Sequence, residues 1–295
     1  MKKWLLIVGG VAGGLLLFFG VLFLGVSLLL KDDGSFGTGN VVGVVEVKGI
    51  ILDSQETIRQ LRECDKNDRV KAVVLRIDSP GGVVGPSQEI HEEVKKLAAR
   101  KKVVVSMGSL AASGGYYIAV PATLIYANPG TITGSIGVIL KLSNLQELLD
   151  KVGVKSITIK TGKFKDIGSA TRPMTEEDRA LLQGVIESSY GQFVRAVAQG
   201  RKLPEVQVRQ LADGRIFTGE QALALKLVDK LGNLPDALAE AGRLGGITGE
   251  PMQFKPKKEK KLLDMLVEET ATQLGGMARR QGVSINYELD SFGGR

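Results

Sequence analysis

The chain has 295 residues and a net charge of +7, which falls to +5 once Lys2 and Lys3 are set aside, an excess too mild to mark a nucleic-acid-binding protein. Cys64 is the single cysteine and His91 the single histidine, which excludes an intrachain disulfide and zinc sites of the HExxH or paired CxxC kind. A Ser-His-Asp triad would have to use His91, so a hydrolase built on this chain needs another base.

Trp4 to Leu30 contains no charged residue and is almost wholly apolar. As a helix it would run about 40 Å at 1.5 Å per residue, against a bilayer core of about 30 Å. A cleaved signal peptide has a shorter apolar region, roughly 7–15 residues, and ends at small residues, whereas this run ends Val26-Ser27-Leu28-Leu29-Leu30. The expectation is therefore a cytoplasmic N-terminus over 1–3, an uncleaved transmembrane anchor over 4–30 and the rest of the chain on the extracytoplasmic side of the cell membrane. Lys2 and Lys3 favour that orientation.

A Gly/Ser/Thr-rich linker over 31–40 leads into alternating apolar and amphipathic segments. Val41 to Val47 and Val70 to Ile77 read as buried strands. Ser87 to Arg100 reads as a helix, with Ile90, Val94 and Leu97 on one face. Val103 to Ser106 is a third strand, a helix begins near Ser113, and Thr123–Tyr126 and Ser135–Ile139 are short strands. Leu145 to Val152 reads as a helix and Val154 to Lys160 as a strand. Thr175 to Arg201 is the clearest helix: Thr175 can cap it with Asp178 three residues on, and Leu181, Leu182, Val185, Ile186, Phe193, Val194 and Val197 form one apolar stripe. Glu220 to Leu231 is a further short helix. The alternation predicts an α/β layered domain over 41–249. From 250 to 295 the chain is a basic, amphipathic tail; Leu263, Val267, Thr270, Leu274 and Met277 are spaced for helix pairing or lipid contact.

Three Gly-rich stretches fall where strands should end, the place where open α/β sheets carry their sites. The first is Ser79-Pro80-Gly81-Gly82, whose glycines let the backbone approach a ligand closely. In the second, Ala111-Ala112-Ser113-Gly114-Gly115-Tyr116-Tyr117, a serine sits between a strand and a helix. That is the setting of a nucleophile at a sharp turn, with the Gly114 N–H as oxyanion donor beside one from Gly81 or Gly82. The same serine could simply cap the helix, and the motif alone does not separate the two. The third is Thr131-Ile132-Thr133-Gly134-Ser135-Ile136-Gly137-Val138. None ends in the Gly-Lys-Ser/Thr of a phosphate-binding loop, and no metal or nucleotide cofactor is expected.

The order SPGG, AASGGYY, TGSIGV resembles the signal peptide peptidase A family in its short, single-repeat form. Gly162-Lys163-Phe164-Lys165-Asp166-Ile167-Gly168 resembles the stretch that carries that family's catalytic lysine, and Arg172-Pro173-Met174-Thr175 and Asp213 to Glu220 also match its pattern. The resemblance runs from about Val41 to Gly245. It implies a crotonase-like, Clp protease-like α/β fold of repeated ββα units, with Ser113 as nucleophile, Lys165 as general base and Ser135 orienting the lysine. Gly114 and the Gly81–Gly82 turn would form the oxyanion hole. It also implies peptide substrates, such as signal peptide remnants, and a homo-oligomeric ring or dome in which neighbouring protomers complete each site.

The chemistry agrees with that implication. A serine hydroxyl needs a base, and a lysine with an ordinary pKa near ~10.4 can act as one only where burial disfavours its ammonium. Lys165 should therefore sit in a dry place, unpaired with Asp166; an ion pair between them would defeat the mechanism. Lys163 competes, since two residues apart in a strand share a face and only the family motif favours Lys165. Val83, Val84 and Ile136 would line an apolar pocket or belong to the core. The alternatives are a crotonase-type acyl-CoA enzyme, which needs no serine–lysine pair, and an inactive membrane scaffold.

Overall fold

The computed structural model describes residues 20–21, 39–257 and 286–288. The chain divides into a unit of residues 1–39 and a unit of residues 40–295. In the first, Gly20 and Val21 are helical; the rest of the expected span over 4–30 lies outside the described residues, as does the heptad-like stretch from Leu263 to Met277. Among the described residues no helix is long and apolar enough to cross a membrane.

The second unit runs β1 (Val41–Lys48), α1 (Gln55–Lys66), β2 (Val70–Ser79), β3 (Gly81–Val83), α2 (Val84–Ala98), β4 (Lys102–Ala112), α3 (Gly114–Ala119), β5 (Leu124–Ala127) and β6 (Ile132–Gly134). It continues with α4 (Gln146–Lys151), α5 (Glu176–Arg201), α6 (Glu205–Leu211), β7 (Ile216–Thr218), α7 (Gly219–Ala224), β8 (Lys230–Leu231), α8 (Leu234–Leu244), β9 (Met252–Phe254) and β10 (Asn286–Glu288).

The valine runs form strands because both faces of a parallel sheet are covered. On β1, Val41, Val45 and Val47 face the larger core with Leu61, Ile90, Val94 and Phe193, while Val42 and Val44 face a smaller one with Ala237, Leu238 and Ala241 of α8. The same alternation recurs on β2, where Val73, Leu75 and Ile77 oppose Ala72 and Val74. The sheet has the order β7-β6-β4-β2-β1-β9, with β5 and β8 branching from β4. β4 is long enough to serve two neighbours: Val104–Ser106 pair with Leu124–Tyr126 of β5, and Leu110–Ala112 pair with Ile132–Gly134 of β6, all parallel. Among the described strands of this sheet, β7 is the one that runs antiparallel, against β6. The expected α/β layering holds, and the tail contributes to it, since Met252–Phe254 pair with Val41–Gly43.

Four expectations are corrected. The strand expected over Ser135–Ile139 lies earlier, at 132–134, because β6 is registered by Ala112 against Gly134. Val154 to Lys160 forms no ladder among the described residues, and Ile157 and Ile159 are 85% and 96% exposed. The helix expected over Glu220–Leu231 ends at Ala224. The stripe on α5 is buried only in its second half: Phe193, Val194 and Val197 are in the core, whereas Leu181 and Val185 are about half exposed at 47% and 45%. The expected cap is present, with the Thr175 side chain accepting from the Asp178 N–H and Asp178 accepting from the Thr175 N–H. This asymmetry makes a prediction. Phe193→Ala should cost about 3–5 kcal/mol in urea denaturation, while Leu181→Ala should cost less than about 0.5 kcal/mol. Equal costs would mean that both halves of α5 are packed alike.

Candidate active site

The three Gly-rich stretches meet because their strands are in register. Ser79 of β2 pairs with Ala111 of β4, and Ala112 pairs with Gly134 of β6. Ser113 and Ser135 are therefore the first residues past two adjacent parallel strands, with the Gly81–Gly82 turn beyond the third. The Ser113 N–H donates to the Gly134 carbonyl at 2.8 Å, and the Ser113 carbonyl accepts from the Tyr117 N–H at 2.8 Å, so one residue both ends the strand and starts α3.

That double duty strains it. Ser113 has φ 54° and ψ −119°, a conformation that an L-residue rarely adopts and that costs about 1–3 kcal/mol. Ser113 is 1% exposed and its side chain accepts no cap bond from the N–H groups of α3, so the simple capping role is absent. Ser135 is also at positive φ, 50°, with its N–H on the Arg215 carbonyl at 2.8 Å. The other hydroxyls of its stretch are committed to stitching: Thr131 Oγ1 donates to the Gly108 carbonyl and Thr133 Oγ1 to the Ala111 carbonyl, both at 2.7 Å.

The glycines are fixed by close approach. A Cβ on Gly114 would lie 2.7 Å from Ser87 Oγ, 3.1 Å from the Gly82 nitrogen and 3.2 Å from the Gly81 Cα, so the two glycine segments touch backbone to backbone. A Cβ on Gly82 would lie 2.1 Å from the Ile51 carbonyl oxygen. As the first residue of α3, Gly114 has an N–H with no intrahelical acceptor. Ser87, which donates to the Val83 carbonyl at 2.9 Å, and Ser79, whose hydroxyl accepts from the Gly81 N–H at 3.1 Å, brace this contact. Neither stands out in the sequence, because a hydroxyl bonded to a nearby backbone group carries no periodic signal.

β3 lies between two extended segments. On one side the Ile51 N–H donates to the Gly81 carbonyl at 2.9 Å and the Val83 N–H to the Ile51 carbonyl at 2.8 Å. On the other, Asn286, Tyr287 and Glu288 pair antiparallel with Val83, Gly82 and Gly81. Val83 and Val84 are partly exposed here, whereas Ile136 is fully buried and belongs to the core.

Residues 95–248 match the model of peptidase family S49, and residues 48–128 match that of Clp protease. The chain is 43% identical over 256 residues to a putative protease of Synechocystis sp., covering 86% of this chain and 92% of that one. The chain belongs to peptidase family S49. It is 35% identical over 272 residues to a putative signal peptide peptidase SppA of Enterococcus faecium, covering 87% of this chain and 75% of that one. It is also 37% identical over 250 residues to protease 4 of Salmonella typhi, spanning 81% of this chain but 40% of that longer one. The resemblance to the signal peptide peptidase A family thus holds, and the chain is a serine peptidase.

In this S49 peptidase, Lys165 is not bonded to Ser113 within the described residues of one chain. It is exposed, on a run of turns over 161–168, and no hydrogen bond or ion pair among the described residues joins the two. The dry setting expected for it is thus absent from the single chain. The feared Lys165–Asp166 pair is absent as well: Asp166 takes the Arg172 guanidinium at 3.0 Å to each oxygen, and the Lys160 ammonium. Those partners hold its carboxyl well below the usual carboxylate range, Arg172 first and Lys160 second. Lys163 is paired with Glu177 and lies 5.6 Å over the Phe164 ring. His91 is 7% exposed, and its ring packs 4.7 Å from that of Tyr117, one turn of α3 beyond Ser113. Burial pushes its imidazole below the ordinary range, opposed by Glu92. Tyr117 in turn packs edge-on against Phe193 at 4.9 Å, which ties α2, α3 and α5 together and gives His91 a structural place.

Proposed function

We propose that this chain is a membrane-anchored serine endopeptidase acting through a serine–lysine dyad, with Ser113 as nucleophile and Lys165 as general base. The observation that carries the reading is the strained Ser113 turn, whose next residue, Gly114, packs closely against the Gly81–Gly82 turn. In this mechanism the neutral Lys165 amine takes the Ser113 hydroxyl proton as Oγ attacks the scissile carbonyl. The N–H groups of Gly114 and Gly82 receive the developing oxyanion, while that of Gly81 donates to the Ser79 hydroxyl. Collapse breaks the C–N bond, the leaving amine takes the proton back from Lys165, and an ester on Ser113 remains. Water, deprotonated by the neutral Lys165 amine, then attacks the ester; the C–O bond to Ser113 breaks, the acid leaves and the Lys165 ammonium returns the proton to Ser113 Oγ. Ser135 orients the lysine.

The lysine comes from a neighbouring copy. The exposure of Lys165 supports this, together with the Val154–Lys160 stretch, which joins no ladder among the described residues and whose exposed Ile157 and Ile159 a partner would cover. A homo-oligomeric ring or dome would seat each Lys165 beside another copy's Ser113 and Ser135. The substrate binds extended along β3 in place of residues 286–288, which occupy that edge by the same strand addition. Apolar peptides such as signal peptide remnants suit an anchor over 4–30 and a site on the extracytoplasmic face of the cell membrane, next to lipid. No cofactor takes part.

The test is hydrolysis of a fluorogenic apolar peptide by the detergent-solubilised full chain between pH 6 and 10. Activity should rise with pH, because only the neutral amine accepts the proton, and His91→Ala should retain it. A flat profile, or loss of activity with His91, would remove lysine as the base. Turnover of an acyl-CoA thioester that survives Ser113→Ala would replace the peptidase reading with crotonase chemistry.

A further inference from the structure

Resting on the reading of Lys165 as base, we propose that Arg172 is a positioning residue for it, clamping the Lys165-bearing turn to the start of α5 and keeping the Asp166 carboxylate away from the lysine ammonium. A carboxylate next in sequence to a catalytic lysine is a hazard, since an opposite charge within about 4–6 Å stabilises the charged form. An ammonium held in that way cannot accept a proton from serine. The fold answers with one planar fork. Arg172 Nε donates to Asp166 Oδ2 and Nη2 to Asp166 Oδ1, both at 3.0 Å, in the bidentate geometry that a lysine could not reproduce. Nη2 also reaches the Asp166 main-chain carbonyl at 3.3 Å, which fixes the backbone directly after Lys165.

The other arm of the fork faces the helix. Nη1 donates to the Pro173 carbonyl at 3.0 Å and to Asp178 Oδ2. Asp178 is the residue whose carboxylate and N–H close the capping box with Thr175, and its side chain is 3% exposed. Arg172 and the Thr175 hydrogen bonds hold its carboxyl down to about 2. The guanidinium thus joins the base-bearing turn to a rigid 26-residue helix through two ionised carboxylates. Around Lys165 the charged groups of the turn are Lys160, Lys163 and Asp166, followed by Arg172, and the acids of the first turn of the helix are Glu176, Glu177 and Asp178. Lys163 occupies Glu177, Lys160 and Arg172 occupy Asp166, and Arg172 shares Asp178, so Asp166, Glu177 and Asp178 each have a cation other than Lys165.

The test is the pH dependence of kcat/KM for the assembled full chain in detergent, with wild type, Arg172→Gln, Asp166→Asn and the double variant beside Lys165→Ala. Arg172→Gln releases Asp166 toward Lys165. Its acid limb should move up by about one pH unit, with kcat at pH 7 down about tenfold and KM little changed. Asp166→Asn leaves the Arg172 charge beside Lys165 and should move the limb down. The double variant should return the limb to near the wild-type position, which a merely structural defect would not do. An Arg172→Gln enzyme with the wild-type profile overturns the proposal, as does a double variant no better than the single one. Should Arg172→Gln fail to assemble, Asp166→Asn decides alone, and an unmoved acid limb refutes the clamp. An active Lys165→Ala enzyme marks a different failure, that of the base assignment itself.

Discussion

Ser113→Ala should lower peptide hydrolysis by at least about 10⁴-fold while leaving the fold and assembly unchanged, because it removes one oxygen from a buried turn and no packing contact. The companion substitution, Ser113→Gly, should be equally inactive but more stable than Ser113→Ala. The reason is the backbone: φ 54° and ψ −119° strain any residue with a Cβ, and alanine keeps that Cβ. Relief of about 1–3 kcal/mol of strain, less the roughly 0.5–1 kcal/mol entropic cost of glycine, leaves a gain of about 1 kcal/mol. Activity would be measured on a fluorogenic apolar peptide and stability by urea denaturation. Residual activity near wild type in Ser113→Ala would move the nucleophile elsewhere. A glycine variant no more stable than the alanine variant would mean that the turn is held without strain.

The second large effect concerns two inactive proteins. Ser113→Ala and Lys165→Ala should each be inactive alone, and co-assembled they should regain activity. In a heterologous contact each site takes its serine from one copy and its lysine from the next, so random mixing leaves about a quarter of the sites complete. Activity of mixed oligomers, separated by distinct affinity tags, is the measurement. Inactive mixtures of confirmed composition would place both residues in one chain and require the 161–168 turn to fold inward. Lys163→Ala should stay active throughout, since its ammonium already belongs to Glu177. An inactive Lys163→Ala enzyme beside an active Lys165→Ala enzyme would reverse the assignment.

Much of this was legible locally. The valine runs announced strands covered on both faces, Thr175 and Asp178 announced the start of α5, and the three Gly-rich stretches marked strand ends. These signals are local because a cap, a positive φ or a close backbone approach is satisfied within a few residues. α1 was not legible: its sequence is largely charged, and it buries only Gln60, Leu61 and Cys64. α8 was hidden too, since it packs through Ala237, Leu238 and Ala241, a narrow stripe of small residues.

The deeper misses have another cause. Val154–Lys160 alternates like a strand and α5 carries one continuous stripe, yet the first joins no strand ladder among the described residues and the second is buried over half its length. The sequence by itself determined which residues can bend, cap and alternate, and which motifs follow in which order, because those properties depend on neighbours along the chain. Only the tertiary structure decided that β4 splits between β5 and β6, that Ala112 lies opposite Gly134 so that Ser113 and Ser135 emerge side by side, and that Asp166 turns to Arg172 rather than to Lys165. Register and ion-pair choice depend on partners many residues away, whose positions are set by packing.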